Sequence, residues 1–419
     1  MAALSPKRDF RAWFWIILAV GFVLRVAWVL AVPVHPVSDS SAYDQLAWSI
    51  ASRGTYAWKN GDLTAYWPVG AAFAYSIPYR LFGQHYAPLA ALNVIAGTLS
   101  LALIMVLARR WTSSAAALAA GLVYAVWPSQ IEFSSVLASE LLFNLLLLLS
   151  LWAGFVAPIR SWAIKGLVAG IFLAGAAYVR PTALPLVILL AAGLWWSRRT
   201  DWRQVALFSA AALAAMAICI APWTLRNDRV LGAPVLISTN GPPNMWMGNN
   251  PDATGAYMAL PNDVSGMSEV ERSRLLGSRA RAFVAEHPAR ALSLFVRKLV
   301  ISHDRETIGI TWNEESLGPA LGGRAVQAAK LVSTAYWLLV LMLAGAGAAI
   351  VLVRERWRGL IHPALLAWAY FALVHAATVG ADRYHFPSIP FIAILAGIAI
   401  ARFARVESVD KTALNPKTL

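Results

Sequence analysis

The chain has 419 residues, of which 59% are hydrophobic and only 13% charged, with a formal net charge of +14. Soluble domains carry about 25% charged residues, so this composition excludes a soluble globular protein. Much of the Lys and Arg flanks apolar stretches, where anionic lipid accounts for it, and nucleic-acid binding is not expected. The single cysteine, Cys219, excludes a disulfide framework and a cysteine metal site.

Apolar runs of about 20 residues, the length of a membrane-crossing helix, recur along the chain. They predict an all-α polytopic membrane protein with ten transmembrane helices. The first run follows Lys7, Arg8 and Arg11 and exceeds the hydrophobic region of a signal peptide, which indicates a retained span. The third and sixth runs are short, which is typical of partial or tilted helices. The predicted spans lie near residues 12–34, 86–108, 114–128, 139–157, 163–179, 182–196, 204–222, 331–353, 361–379 and 387–403.

Clusters of Lys and Arg occupy alternate connections between these runs, on the same side as the basic N-terminus. The positive-inside rule makes this side cytoplasmic. We therefore expect a multi-pass membrane protein, with both termini in the cytoplasm and the longer polar loops 35–85, 129–138 and 223–330 outside. The basic clusters are Arg109 and Arg110; Arg160 and Lys165; Arg198, Arg199 and Arg203; Arg354, Arg356 and Arg358; and Arg402 and Arg405.

The outer loops contain short elements of their own. In the first loop, apolar residues at helical spacing from Tyr43 predict an amphipathic surface helix that stops near Gly54, and a second such segment covers residues 70–82.

The largest loop contains two turn-forming clusters, Asn240–Asn244 and Gly248–Asp252, which predict irregular backbone. Ser268 and Glu271 then match a capping box that opens a helix to about His287.

Two acidic residues stand where spans meet the outer surface. Asp39 follows the first span and either caps the amphipathic helix or faces a cavity between helices. Glu140 heads a run of Leu and Phe; it either interacts with the dipole at its helix N-terminus or faces the bundle interior, where intramembrane carboxylates are usually functional. The two residues are predicted on the same side, which permits a paired carboxylate site.

Two arginines occupy outer corners, where the positive-inside rule does not call for a cation. Arg180 precedes Pro181 between two apolar spans, and Arg383 lies in the corner before the last span. Because a guanidinium presents a fork of donors that suits phosphate oxygens, the pair predicts a phosphate clamp. Snorkelling, or pairing with a neighbour such as Asp382, is the alternative. Arg25, halfway along the first span, must pair, snorkel or line a cavity.

Several short motifs together resemble bacterial GT-C membrane glycosyltransferases, closest to the protein-mannosyltransferase-like family 39 and the lipid A aminoarabinose transferases. The resemblance covers nearly the whole chain and depends on the order of the motifs. They are Asp39 with Tyr43 and Gly54; Tyr66-Trp67-Pro68-Val69-Gly70; Trp127-Pro128-Ser129; Glu140-Leu141-Leu142-Phe143; Tyr178-Val179-Arg180-Pro181; Pro222 to Asn227; Gly248-Asn249-Asn250-Pro251; and Arg383-Tyr384-His385-Phe386-Pro387. Some relatives carry a charged Glu-Lys pair where Tyr66 and Trp67 stand here.

The resemblance implies an inverting transfer of a sugar from a polyprenyl-phosphate donor to a hydroxyl of a glycan, glycolipid or protein at the extracytoplasmic face. Asp39 would be the catalytic acidic residue and Glu140 a second acidic residue of the cavity, in a protein of a bacterial inner (plasma) membrane. The donor phosphate would then meet Arg180 and Arg383, with Arg226 and Tyr384 as further candidates. Tyr43, Tyr66 and Asn249 are predicted to line the substrate cavity, and no metal ligands are assigned, although a divalent metal is compatible with the chemistry.

The same reading divides the chain into four parts. These are an N-terminal transmembrane catalytic module over 1–222, an extracytoplasmic loop region over 223–330, C-terminal transmembrane helices over 331–405 and a cytoplasmic tail over 406–419. Two other functions stay open, a flippase for lipid-linked sugars and a structural scaffold. A flippase predicts polar positions near the membrane midplane, whereas these candidates lie at the outer helix ends.

Overall fold

A computed structural model describes residues 6–198 and 200–404, and this part of the chain is almost entirely helical. The one β pairing within it is an isolated bridge between Ala57 and Leu63. The α-helices are α1 (Pro6–Ala31), α2 (Asp39–Arg53), α3 (Val69–Phe82), α4 (Ala87–Trp111), α5 (Ser114–Ala125), α6 (Pro128–Glu132), α7 (Glu140–Phe155), α8 (Trp162–Val179), α9 (Leu186–Trp196), α10 (Trp202–Leu231), α11 (Gly241–Met247), α12 (Glu269–Glu286), α13 (Pro288–Ile301), α14 (Ile308–Trp312), α15 (Glu314–Leu321), α16 (Gly323–Glu355), α17 (Pro363–Ala377) and α18 (Ile389–Phe403). Short 3-10 helices cover Phe133–Ser135, Pro181–Ala183, Asn262–Val264, Arg356–Ile361 and Phe386–Ser388.

The predicted spans correspond to three kinds of helix. Within the described residues, α1, α4, α8, α10, α16 and α18 are long and apolar enough to cross a membrane. The pair formed by α5 and the α6 segment also passes this test but is bent by 60°, and α7, α9 and α17 are shorter apolar helices. All ten predicted positions are therefore helical, and the all-α polytopic class is confirmed.

Two helices extend furthest beyond the predicted spans. The span predicted near 204–222 lies within α10, which continues to Leu231 and ends at Gly232, with a φ of 65°. Such a left-handed residue is a preferred helix terminator, and it follows a polar segment that the apolar pattern alone does not detect. Likewise, α16 begins at Gly323 instead of near residue 331. Arg226 therefore stands on the polar extension of α10.

The outer loops contain the predicted short helices. α2 ends at Gly54, α3 covers the second segment, and α12 begins with the capping box of Ser268 and Glu271, so these predictions are confirmed. The irregular backbone predicted for Asn240–Asn244 is wrong, because α11 begins at Gly241 with two prolines in its first turn. Proline is tolerated there because the first N–H groups of a helix have no intrahelical acceptor.

Close helix contacts depend on glycine at one interface in particular. Gly166 and Gly170 of α8 lie against the backbone of α10, where an added Cβ would meet carbonyl oxygens at 2.2 Å and 2.3 Å. This four-residue spacing of small residues allows two membrane helices to approach closely.

α18 occupies the centre of the bundle, and every residue from His385 to Ala399 is buried. A helix that is apolar all round is typical of such a position.

The basic connections meet at one end of the bundle. Arg110 Nε donates to the Phe155 carbonyl at 3.1 Å, and Arg358 Nη2 donates to the Trp196 carbonyl at 2.7 Å. These contacts join the ends of α4, α7 and α9 that the positive-inside rule assigns to the cytoplasm. Arg199, Arg405 and the predicted tail lie outside the described residues.

Candidate active site

The four charged residues singled out from the sequence converge at the opposite end of the bundle. Asp39 is the first residue of α2, Glu140 is the first residue of α7, Arg180 directly follows α8, and Arg383 lies in the corner before α18. Arg383 Nη2 donates to Asp39 Oδ2, and Arg180 Nη2 donates to Glu140 Oε1. Arg383 Nη1 also lies 3.8 Å from Glu140 Oε1. We call Asp39, Glu140, Arg180 and Arg383 the charge cluster.

The two ion pairs of the charge cluster differ in exposure. The Glu140 side chain is fully buried, whereas those of Arg383 and Asp39 are 17% and 18% exposed. Ser139 joins the buried pair, because its hydroxyl accepts from Arg180 Nε at 2.9 Å and donates to Glu140 Oε2 at 3.2 Å. A buried charge is tolerated only with such a partner and further hydrogen bonds. Asp39 is therefore the more accessible carboxylate of the two.

The helix start at Asp39 does not depend on side-chain capping. Ser38 precedes the helix with a φ of 51°, an uncommon value for a non-glycine residue, and makes no side-chain cap. The Asp39 carboxylate contacts Arg383, 344 positions away in the chain. The capping alternative considered for Asp39 is thus not what the structure shows. Asp382, the alternative partner of Arg383, instead accepts hydrogen bonds from the amide and hydroxyl of Thr307 at 3.2 Å and 2.7 Å.

Aromatic side chains surround the cluster. The Arg383 guanidinium lies 4.6 Å from the centre of the Trp312 ring and 5.8 Å from that of Tyr384, and Tyr384 stacks on His375. Burial opposes protonation of Arg383, but the charges of Asp39 and Glu140 outweigh it and raise the pKa of this residue. Burial, with the negative charges of Glu140 and Asp39, raises the pKa of Tyr43. Its phenol therefore remains protonated and able to donate a hydrogen bond.

The pKa values of Tyr66 and Tyr384 are also raised. Burial raises the pKa of Tyr66, with smaller contributions from Asp39 and Tyr384, and burial also raises that of Tyr384. Tyr66 contacts Trp67 edge-on, with ring centres 5.6 Å apart. Tyr43 and Tyr66, predicted to line the cavity, and Tyr384, predicted to meet the donor phosphate, therefore all lie near the charge cluster.

A buried network that sequence reasoning missed supports the Arg383 corner. His385 Nε2 lies 2.9 Å from Glu306 Oε1, while His385 Nδ1 lies 2.8 Å from the Ser302 carbonyl. Trp127 Nε1 donates to Glu306 Oε2 at 2.9 Å. One signal of this network was present in the sequence, because His385 lies two residues after Arg383. No local pattern indicates the contact of His385 with Glu306, which lies 79 residues earlier in the chain.

The structure places Arg226 and Asn249 away from these contacts. Arg226 donates to the carbonyls of Thr64 and Tyr56 at 2.7 Å and 3.1 Å, so it joins α10 to the first outer loop. Asn249 donates to the Ala377 carbonyl at 3.0 Å and accepts from Lys298 at 2.9 Å. These hydrogen bonds join helices to loops, and the predicted substrate roles of Arg226 and Asn249 stay predictions.

The charge cluster combines two chemical capacities. It offers a carboxylate that can accept a proton and guanidinium groups that can bind an anion, with no net charge when all four groups are ionised. Across residues 6–198 and 200–404, no three His, Cys, Asp or Glu side chains are grouped so as to hold a metal ion.

Together the ten apolar helices and the outer helices α2 and α3 define a polytopic membrane protein with the GT-C fold. The oligosaccharyltransferase AglB of Archaeoglobus fulgidus, in complex with an inhibitory peptide and a dolichol-phosphate, superposes with a TM-score of 0.54 at 13% identity, over 96% of this chain and 53% of that chain. ArnT of Cupriavidus metallidurans bound to undecaprenyl phosphate gives a TM-score of 0.54 at 16% identity, over 93% of this chain and 60% of that chain. The chain thus spans little more than half the length of these structures.

One family model agrees with this fold. Residues 67–225 match the family described as dolichyl-phosphate-mannose-protein mannosyltransferase. The matched range includes Glu140 and Arg180, whereas Asp39 and Arg383 lie outside it. The comparison with curated proteins gave no significant match. The expected GT-C resemblance is therefore confirmed as a fold.

Proposed function

We propose that this protein is an inverting membrane glycosyltransferase that moves a sugar from a polyprenyl-phosphate donor to an acceptor hydroxyl at the extracytoplasmic face. The observation that carries the proposal is the charge cluster, in which a partly exposed carboxylate lies beside two guanidinium groups at one end of a GT-C bundle. AglB and ArnT, which share the fold, are described in complex with dolichol-phosphate and undecaprenyl phosphate.

Asp39 is the general base of this mechanism. It accepts the proton of the acceptor hydroxyl while that oxygen bonds to the anomeric carbon, and the bond from carbon to phosphate oxygen breaks on the opposite face. The bonding electrons leave with polyprenyl phosphate, and the sugar configuration inverts. Asp39 is better suited than Glu140, because Glu140 is fully buried and held by both Ser139 and Arg180. General base catalysis contributes about 10²- to 10⁴-fold in rate.

Arg180 and Arg383 stabilise the leaving phosphate. Guanidinium groups bind phosphate oxygens through paired donors, and a preorganised cation lowers the barrier where negative charge develops. Each Arg keeps donors beyond those engaged with Glu140 and Asp39, since a guanidinium has five N–H groups. The fixed pair of Arg180 and Glu140 holds one guanidinium in place before the donor arrives.

Donor binding also frees the base. In the structure Arg383 occupies one oxygen of Asp39. A donor phosphate between Arg180 and Arg383 competes with Asp39 for the Arg383 donors and releases that oxygen to accept the hydroxyl proton. The accessible pair thus couples phosphate binding to the availability of the base.

The isoprenoid tail reaches the cluster from the lipid phase. Along α3, Phe73, Ile77 and Leu81 are exposed at a four-residue spacing, which forms one apolar helix face. In a membrane-surface helix such a face lies against acyl chains. Because α3 packs against α2, the lipid surface and the Asp39 helix are adjacent.

The proposal is tested with purified protein in proteoliposomes and a labelled polyprenyl-phosphate sugar. The wild-type protein transfers label to an envelope glycan, glycolipid or protein fraction, and Asp39→Asn abolishes the transfer. Mass profiling of envelope glycans from a deletion strain and its parent identifies the sugar and the acceptor. The matched control is Asp62→Asn, an exposed carboxylate of the loop after α2 that lies outside the charge cluster.

The same assay separates a transferase from a flippase. A flippase moves intact donor across the bilayer without an acceptor, whereas a transferase consumes the donor only when an acceptor is present. Unchanged transfer by Asp39→Asn would remove this residue from the mechanism. Movement of intact donor without any product would instead assign the protein to lipid-linked sugar transport.

A further inference from the structure

A cavity lies on the other side of α2 from the charge cluster. It has a volume of about 590 Å³ and is open to solvent on one side. Its walls come from the loop after α1, from α2, and from the loops that follow α2 and precede α4. The volume falls within the range of about 300–1,000 Å³ typical of small-molecule sites.

α2 separates two polar environments. Successive residues of an α-helix are rotated by about 100°, so Asp39 and Tyr43 share one face. Asp44, Gln45 and Trp48, which line the cavity, lie about 140° to 240° from Asp39 around the helix. Along the helix axis, Asp44 is only about 7.5 Å from Asp39. A ligand in the cavity can therefore reach Asp39 by passing over the N-terminus of α2, where Val34 and Pro36 also line the cavity.

The cavity lining suits a hydrophilic ligand. Gln45 and Gln84 supply amide donors and acceptors, and Trp48 supplies an aromatic surface. Pockets for apolar ligands are lined mainly by hydrophobic groups, which is not the case here. Amides beside an indole ring are able to recognise the hydroxyl groups and the apolar ring face of a sugar.

The charge of the lining is positive. Asp44 is the one acidic residue, and its oxygens accept hydrogen bonds from the phenols of Tyr79 and Tyr86. Arg53 donates to two neutral groups, the Ser49 hydroxyl at 3.0 Å and the Trp58 carbonyl at 3.1 Å, so its charge is not compensated by a carboxylate. Lys59 adds a second cation. These charges favour an anionic ligand.

We propose that this cavity binds a negatively charged oligosaccharide segment of the acceptor, on the side away from the reacting hydroxyl. The inference rests on the proposed transferase function and names the acceptor class as a charged glycan. The acceptor extends from the cavity over the start of α2, which places its terminal hydroxyl at Asp39.

Binding of model sugars tests the cavity without any need for catalysis. Full-length protein in nanodiscs is titrated with a galacturonic acid oligomer, an uncharged chito-oligosaccharide and a tetra-aspartate peptide, with saturation-transfer NMR as the readout. The galacturonic acid oligomer binds most tightly.

A double variant, Lys59→Ala with Gln84→Ala, weakens binding of the galacturonic acid oligomer by about tenfold or more, because it removes a charged and a neutral hydrogen-bonding group. The matched control is Arg281→Ala with Gln327→Ala, which removes the same kinds of group from exposed positions outside the lining. It leaves binding unchanged. Thermal unfolding confirms that both double variants are folded.

Other outcomes overturn the inference. Equal binding of the peptide would show that only charge is recognised, and equal binding of the uncharged sugar would remove the need for charge. Binding unaffected by the cavity variant, or no sugar binding by a protein that transfers sugar, would refute the cavity site while the transferase function stood. Sugar binding by a protein without transferase activity would refute the proposed function and its acceptor role together.

Discussion

The two ion pairs of the charge cluster use the same chemical groups in different surroundings. Glu140 is fully buried, and with the 14% exposed Arg180 it forms the more enclosed pair, to which Ser139 adds two hydrogen bonds. Asp39 and Arg383 form a pair that keeps contact with solvent and joins residues from the two ends of the described chain. Solvent access is the difference that matters, because a carboxylate can exchange partners only where a substrate can reach it.

This difference suggests a division of labour. The buried pair acts as a fixed support, since separating it would leave an uncompensated charge in the bundle. The accessible pair is the one that a phosphate group can open. Variants that change one pair and spare the other can separate these two roles.

The largest expected effect is on catalysis by the accessible pair. Asp39→Asn retains the shape of the side chain but removes its capacity to accept a proton, so the transfer rate falls by about 10²- to 10⁴-fold. The melting temperature changes less than in Glu140→Gln. Initial rates with labelled donor and thermal unfolding in detergent measure both effects. A variant that keeps its rate but loses stability would reverse the roles of the two pairs.

The buried pair is expected to dominate stability. Glu140→Gln removes the fully buried carboxylate beside Arg180, whose side chain is 14% exposed, and leaves that guanidinium without its partner, which costs about 3 kcal/mol in the free energy of unfolding. The double variant Glu140→Gln with Arg180→Gln recovers part of this loss, because no unpaired charge remains. A double-mutant cycle by denaturant unfolding measures the coupling. Additive losses would show that the two side chains do not stabilise each other.

Donor affinity is expected to depend on the paired N–H donors of the Arg383 guanidinium. Arg383→Lys retains the charge but loses the planar donor pair, so the KM for the donor rises by about tenfold. Arg226→Lys is the control, because Arg226 hydrogen-bonds to backbone carbonyls of the first outer loop. Steady-state kinetics at saturating acceptor measures both KM values. An equal rise for Arg226→Lys would bring that residue into the donor site.

A smaller effect is expected at Glu306, which belongs to the buried network beside the Arg383 corner. Glu306→Gln keeps hydrogen-bonding atoms beside His385 and Trp127 but removes the negative charge. We expect a fall of several-fold in kcat/KM with helix content unchanged, because the corner is held less firmly. Circular dichroism and the transfer assay check this expectation. Wild-type kinetics would mean that the buried network serves stability alone.

The smallest expected effect concerns Lys298 and pH. Burial lowers the pKa of Lys298 to about 8, whereas an unfolded lysine titrates near 10.4. Between these values the unfolded chain binds more protons, so the protein becomes more stable as pH rises from about 8 to about 10. Lys298→Met, which cannot titrate, shows a smaller rise. Melting temperatures across this range test the prediction, and identical slopes would contradict it.

Local sequence was informative where a pattern has a local physical cause. Capping chemistry predicted the start of α12, and Gly54 predicted the end of α2, because both depend on a few neighbouring residues. The turn-forming residues Asn240–Asn244 predicted irregular backbone where α11 begins, and the apolar pattern did not reach the polar end of α10. The apolar pattern detects the part of a helix that lies in lipid but not the polar part that continues into water.

The four residues of the charge cluster could be predicted from the sequence, but the ion pairs that they form could not. Glu140 stood out because carboxylates at membrane depth are rare, and Arg180 and Arg383 because the positive-inside rule does not call for cations at outer corners. Asp39 stood out by its place directly after the first span. Nothing in the chain indicated that Arg383 would pair with Asp39 and leave Asp382 to Thr307. Glu306 also gave no signal, since its partners His385 and Trp127 come from distant segments.

By itself, the sequence determined that this is a helical membrane protein with its candidate charges at one set of helix ends, because hydrophobic length and charge cost act residue by residue. Only the tertiary structure decided which carboxylate is accessible, which guanidinium each one holds, and that α2 has a second polar face against a cavity. Those properties depend on the packing of helices that are far apart in the chain, and packing is a property of the whole fold.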